Sequence, residues 1–178
     1  MCHHRVWLGI VLVGGCLALP GSAADEPKKP KIDFPKQVKL LIDLTNEARA
    51  KEKLPALKVH DLLTTAAIDY SVIMSKDRKN ALELMFKKDP KAHTIGGKDP
   101  GQRLDDLKYE WIDAGENVGC ALRFDEFKAI FDRWMQSKIH RDNILKKSFE
   151  EIGVGIYKHP DHNEWYITQM FGARKKAD

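Results

Sequence analysis

The stretch WMQSKIHRDNIL, residues 134–145, sets an indole, a hydroxyl, an imidazole, a guanidinium and a carboxamide close together. Ser137 and His140 are the types needed for a nucleophile and its base, provided the turn between them lets the two side chains meet. An imidazole can equally ligate zinc, at about 2.0–2.1 Å. The other histidines beyond the leader are His60, His93, His159 and His162. The last two sit in HPDHN, which is turn chemistry, and read as solvated. His60 precedes a helical pattern and reads as a boundary residue. His93 and His140 each fall in an irregular segment beside a helix, where functional groups collect. Glu116, in AGENVG, lies between glycines and should not belong to an exposed helical face. Two imidazoles and a carboxylate could share a metal, but no HExxH or CxxC spacing unites them. Surface or core histidines are the competing reading.

The elements that must position these groups follow from periodicity. Residues 36–53 read as a helix with Val38, Leu41, Ile42 and Ala48 on one face. Asp61 can cap a second helix over 61–79, with Leu62, Leu63, Ala66, Ala67, Tyr70 and Ile73 or Met74 buried. Residues 80–110 lose the pattern and read mostly as loop, with a short helix near 102–108. A helix over 125–136 carries Phe127, Ile130, Phe131 and Trp134 at helical spacing, and Trp134 should be buried. IGVGIYK and EWYITQMFG read as an antiparallel hairpin, and GENVGCAL as a third strand. Helices first and strands last predict an α+β domain with helices on a small sheet.

The chain has 178 residues and 43% hydrophobic composition, enough for one domain with a core. Residues 1–24 have a basic start, an apolar run over 6–19 and small residues before Ala24. This is the layout of a secretory signal peptide, and the expected localisation is secreted or periplasmic. The apolar run is too short for a span, which needs roughly 20 residues. VGGC, ending at Cys16, loosely resembles a lipobox, so a lipid-anchored envelope form is the alternative. Residues 25–35, rich in Pro and Lys, read as a linker, 36–173 as the domain, and 174–178 as a basic tail. Without the leader the formal charge is +3, too balanced to imply nucleic acid. Only Cys120 remains beyond the leader, so no intramolecular disulfide can form there, and the thiol reads as a buried small hydrophobe.

Several segments together resemble the CAP superfamily of cysteine-rich secretory proteins, antigen 5 and pathogenesis-related 1 proteins. They are LIDLTNEARAKEKLPAL, AH followed by GQR, AGENVG, WMQSKIHRDNIL, EIGVGIY and WYITQMFG, in that family's order. The resemblance is strongest to the bacterial, disulfide-poor SCP-like branch, over about 36–173. It implies a three-layer α-β-α sandwich with a small antiparallel sheet. It also implies a cleft in which His93, Glu116 and His140 match three members of a His/acid tetrad. The second acid is replaced by Ser137. Arg103 and Asn143 match positions that support the cleft. A zinc or other divalent-cation site at His93, Glu116 and His140 is the implied cofactor. The family has no generally shared reaction, and its members are associated with sterols and other lipids, ions or protein partners. The expected function is therefore a secreted, monomeric binding module for a small apolar ligand, an ion or an extracellular protein, with no membrane span in the mature form. A metal-dependent or Ser/His hydrolase, with His93, Glu116, Ser137 and His140 as candidate catalytic residues, is one alternative. A structural envelope domain with a vestigial cleft is the other.

Overall fold

The computed structural model describes residues 35–175. The expected signal peptide, nearly all of the linker and the end of the tail lie outside those residues. Eleven elements follow in order, counting one 3-10 turn. Helices α1 (Pro35–Lys51) and α2 (Asp61–Lys76) flank a two-residue strand β1 (Lys58–Val59). Next come α3 (Arg78–Lys87), a 3-10 turn (Pro90–His93) and α4 (Pro100–Asp106). Strand β2 (Trp111–Ala121), helices α5 (Phe127–Gln136) and α6 (Lys138–Ile144), and strands β3 (Glu151–Lys158) and β4 (Trp165–Arg174) complete the fold.

The sheet order is β1-β3-β4-β2. β3, β4 and β2 are antiparallel, whereas β1 adds to β3 in parallel, so the expected antiparallel sheet is in fact mixed. Alternation along β4 decides the layers. Trp165, Ile167 and Phe171 join the core shared with α1, α5 and α6. Tyr166 and Met170 face the opposite way, into the core formed with α2, α3 and α4. The sheet is thus covered on both faces, giving the α-β-α sandwich. On β3, Ile152, Val154 and Ile156 face α1, while Gly153 and Gly155 face α2. A Cβ on Gly153 would stand 2.1 Å from the Leu63 carbonyl carbon, and one on Gly155 2.2 Å from that of Ala67. Helix α2 therefore lies directly on the strand backbone, an approach only glycine permits.

The structure corrects the sequence reading in several places. The helix expected over 61–79 breaks at Asp77, and residues 80–87, expected as loop, belong to a second helix, α3. Ala81 alone is fully buried there, so no apolar stripe advertised the helix; its Ala, Leu, Met, Glu and Lys content supplies the propensity. Asp61 does not cap α2: His60 Nδ1 accepts from the Leu62 N–H at 3.2 Å, and Asp61 is the first helical residue. The short helix expected near 102–108 starts earlier, at Pro100, under an Asp99–Gln102 capping box. Arg174 belongs to β4 and pairs with Glu151, so the tail begins later than expected. Cys120 is half-buried rather than fully buried.

Candidate functional site

The site straddles the outer edge of β2. Side chains alternate along that strand, so Glu116 and Val118 point into the α2 layer and Asn117 and Gly119 into the α5/α6 layer. The chain leaves α5 at Ser137, which is extended (φ −89°, ψ 121°), and restarts at once as α6. That break swings His140 beside the strand edge. The 3-10 turn brings His93 to the same edge from the other layer.

On the α2 side, Glu116 is buried between two donors. His93 Nδ1 lies 2.9 Å from Oε1, and Arg103 Nη2 lies 2.5 Å from Oε2. Arg103 is itself buried, stacks 3.6 Å from the Tyr70 ring centre, and donates to the carbonyls of His93 and Lys98. Tyr70 accepts the Ile95 N–H and donates to Ala92 O, which fixes the turn that carries His93. Facing a carboxylate acceptor, His93 Nδ1 is the ring nitrogen that donates, which turns Nε2 away from Glu116.

On the α6 side, Asn143 donates to Glu116 O and to Asn117 Oδ1, both at 3.0 Å. Asn117 donates to His140 O, and the chain of bonds continues through Gln169 to Thr45 on α1. His140 Nδ1 is buried and has no hydrogen-bond partner among the described residues. Burial, then the neighbouring His93 and Lys88, hold the His140 imidazole below the ordinary value of 6.5, so it is neutral at pH 7. His93 is close enough to His140 to act on it electrostatically, from the other side of the strand edge.

A groove of about 570 Å³ opens from His140 along this edge. Leu82 and Met85 of α3 form one wall, Ile130 and Trp134 of α5 the other, and Val118 and Cys120 line its floor. Ser137, His140 and Lys88 close one end. Helix α3 stops at Lys88, whose left-handed backbone (φ 54°) ends the helix. Trp134 is buried as expected, and its Nε1 donates to Val118 O at 3.0 Å. Glu126 accepts the Leu122 N–H at 3.0 Å. With Asn143 on Glu116 O, side chains thus occupy two carbonyls of β2, and Glu126 holds the N–H just past its end. Such bonds oppose the addition of a further strand.

Sequence reasoning named His93, Arg103, Glu116, Ser137, His140 and Asn143, and all of them lie at or beside this edge. It missed Lys88, Tyr70, Gln169 and the α3 wall. Lys88 and the wall were hidden with the unrecognised helix, while Asn117, inside AGENVG, stood next to a residue already chosen.

The known family whose description matches is that of the cysteine-rich secretory proteins, CAP, over residues 42–171. The chain belongs to the CAP family. The CAP chain is 32% identical over 117 residues to the uncharacterised protein YkwD of Bacillus subtilis, across 66% of this chain and 41% of YkwD. It thus spans about two-fifths of that relative. An extracellular protein containing a SCP domain from Bacillus anthracis superposes with a TM-score of 0.61 at 29% identity, over 78% of this chain and 40% of that one. An outer surface protein of Borrelia burgdorferi shares the fold (TM-score 0.62, 24% identity, 83% and 99% covered). Among the described residues, no helix of this CAP domain is long and apolar enough to cross a membrane.

Among the described residues of the CAP site, Ser137 makes no side-chain cap bond to α6, and His140 Nδ1 is buried without a partner. Cys120, at the groove floor, has its thiol pushed up to about 12, chiefly by burial and then by Glu164, so it stays protonated. As for a metal, both Glu116 oxygens are already engaged, and no group of three or more His, Cys, Asp or Glu side chains among the described residues is arranged to hold one. What the residues do offer is two imidazoles, one of them oriented by a carboxylate.

Proposed function

We propose that the protein is an exported binding module for an amphiphile. Its apolar chain lies between α3 and α5, and its anionic head meets Lys88 and His140. The groove carries this reading, because apolar walls lead to a polar end that holds a cation and an imidazole with an unused nitrogen. The side chains along the strand edge favour an acyl chain over a peptide, which would need free backbone groups for pairing. Export is supported by the leader and by the likeness to an extracellular SCP-domain protein.

The test is a calorimetric titration with a long-chain fatty acid. Met85→Glu, which puts a charge on the apolar wall, and Lys88→Glu, which reverses the charge at the head, should each weaken binding by about tenfold or more. An anion beside His140 favours its protonated form. The complex therefore takes up a proton more readily than the free protein, and affinity should rise as pH falls toward the lowered range in which free His140 titrates, until the fatty acid itself is protonated. Equal binding by wild type and Met85→Glu would remove the groove from the account.

A second reading has its own support. The Glu116 carboxylate orients the His93 ring through Nδ1, so Nε2 is the nitrogen that would meet an ion, and His140 is its electrostatic neighbour. These two imidazoles would hold a zinc or similar ion, with Glu116 as the acceptor behind His93 rather than a ligand. A bound ion would supply a Lewis-acid centre. Here the sign of the pH effect reverses, because protons compete with the ion for both rings and affinity falls as pH drops. Zinc titrations at about pH 7.5 and about pH 5.5 separate the cases. Binding that survives in His93→Ala/His140→Ala would rule this ion site out.

A further inference from the structure

We infer that the mouth of the groove docks onto an anionic lipid surface, from which the groove's amphiphile is loaded. This rests on the amphiphile reading and adds where the ligand is met. Large apolar side chains protrude at the mouth from two separate elements. Phe86, near the end of α3, is 87% exposed, and Leu122, just after β2, is 54% exposed. Both line the same groove. Phe124 follows two residues later, 48% exposed, with one part of its ring packed on Phe127 and Trp165. A phenylalanine that is 87% exposed is barely packed on the protein, so its exposure has a cost in water that burial in an acyl layer would relieve.

The charges at this mouth choose among occupants. Lys88 and Arg133 line the groove without an ion pair among the described residues. The acidic lining residue, Glu126, accepts the Leu122 N–H and keeps its charge, so two lining cations stand against one anion. Lys87 and Arg123, next to Phe86 and Leu122, are held by Glu83 and Asp125, which balance them. The uncompensated charge at the mouth is therefore positive, which suits phosphate head groups. A protein strand is disfavoured by the side chains bonded along the β2 edge. Apolar groups projecting beside free cations, around the entrance of an apolar groove, are the arrangement that lets an acyl chain pass from a bilayer without crossing water.

The experiment is vesicle co-sedimentation, using protein as the exporting cell delivers it. Vesicles of phosphatidylcholine are compared with vesicles that also contain phosphatidylglycerol, and wild type with Phe86→Ser/Leu122→Ser. Both positions are exposed, so the variant keeps its fold, and its melting transition checks this. Wild type should sediment with the phosphatidylglycerol vesicles and more weakly with phosphatidylcholine alone. The double variant should lose about tenfold or more of that partitioning, with Phe86→Ser alone in between. Equal sedimentation of wild type and double variant would overturn the proposal. So would a wild type that ignores both vesicles, or one whose exposed apolar groups instead mediate self-association that the variant abolishes. A fatty-acid titration of wild type without vesicles separates the two levels. If the fatty acid binds but vesicles do not, docking fails and the groove reading stands; if neither binds, both fail.

Discussion

Replacing Arg49 with methionine should destabilise the protein by about 4 kcal/mol, because that side chain is the internal clasp of the α1–α6 layer. Arg49 has no exposed surface. Its guanidinium donates to four backbone carbonyls: Pro55 at 2.9 Å, Ile144 at 3.0 Å, Lys146 at 2.9 Å and Phe149 at 3.2 Å. Two of these acceptors lie at or just after the end of α6, where helix carbonyls lack intrahelical donors and carry partial negative charge. Burial lowers the guanidinium from its ordinary 12.5, a value high enough that it remains charged. Methionine fills similar volume but leaves the acceptors orphaned, at about 1–3 kcal/mol each where water cannot enter. Not all four are sealed, so the net loss is smaller than the sum. Arg49→Lys should recover only part, since one ammonium cannot reach four carbonyls around a planar fork. Urea denaturation measures the difference. A loss below about 1 kcal/mol would mean that water replaces the guanidinium.

Glu116→Ala should cost about 3–5 kcal/mol, the scale for breaking a buried ion pair from one side. The substitution leaves Arg103, 6% exposed, without its carboxylate, and frees the His93 ring. Arg103→Met on top of Glu116→Ala should restore part of the stability, because the unpaired charge is then gone. Because Asn143 bonds to the Glu116 backbone oxygen, its brace should survive the substitution. Denaturation of the single and double variants gives the coupling directly. If the double variant is no more stable than Glu116→Ala, the pair is not the source of the loss.

Much of this architecture is legible in the residues. Period-two alternation located the β3–β4 hairpin, and the spacing of Phe127, Ile130, Phe131 and Trp134 located α5. Helix α3 escaped because it buries almost nothing of its own, and β1 because two residues carry no period. Arg49 falls on the same α1 face as Leu41 and Thr45, but periodicity alone does not suggest a charge on a buried stripe. The site was legible only through family likeness. His93 and Glu116 are far apart in sequence and meet at the β2 edge, beside which α6 carries His140, an arrangement no local spacing encodes. The groove was less legible still, since one of its walls is the helix that periodicity did not reveal.

The most direct measurement of the central claim is a crystal structure of the protein with a long-chain fatty acid. The acyl chain should run between Met85 and Trp134, with its carboxylate at Lys88 and His140. A fatty acid bound elsewhere, or a groove that stays empty while the titration shows binding, would contradict it.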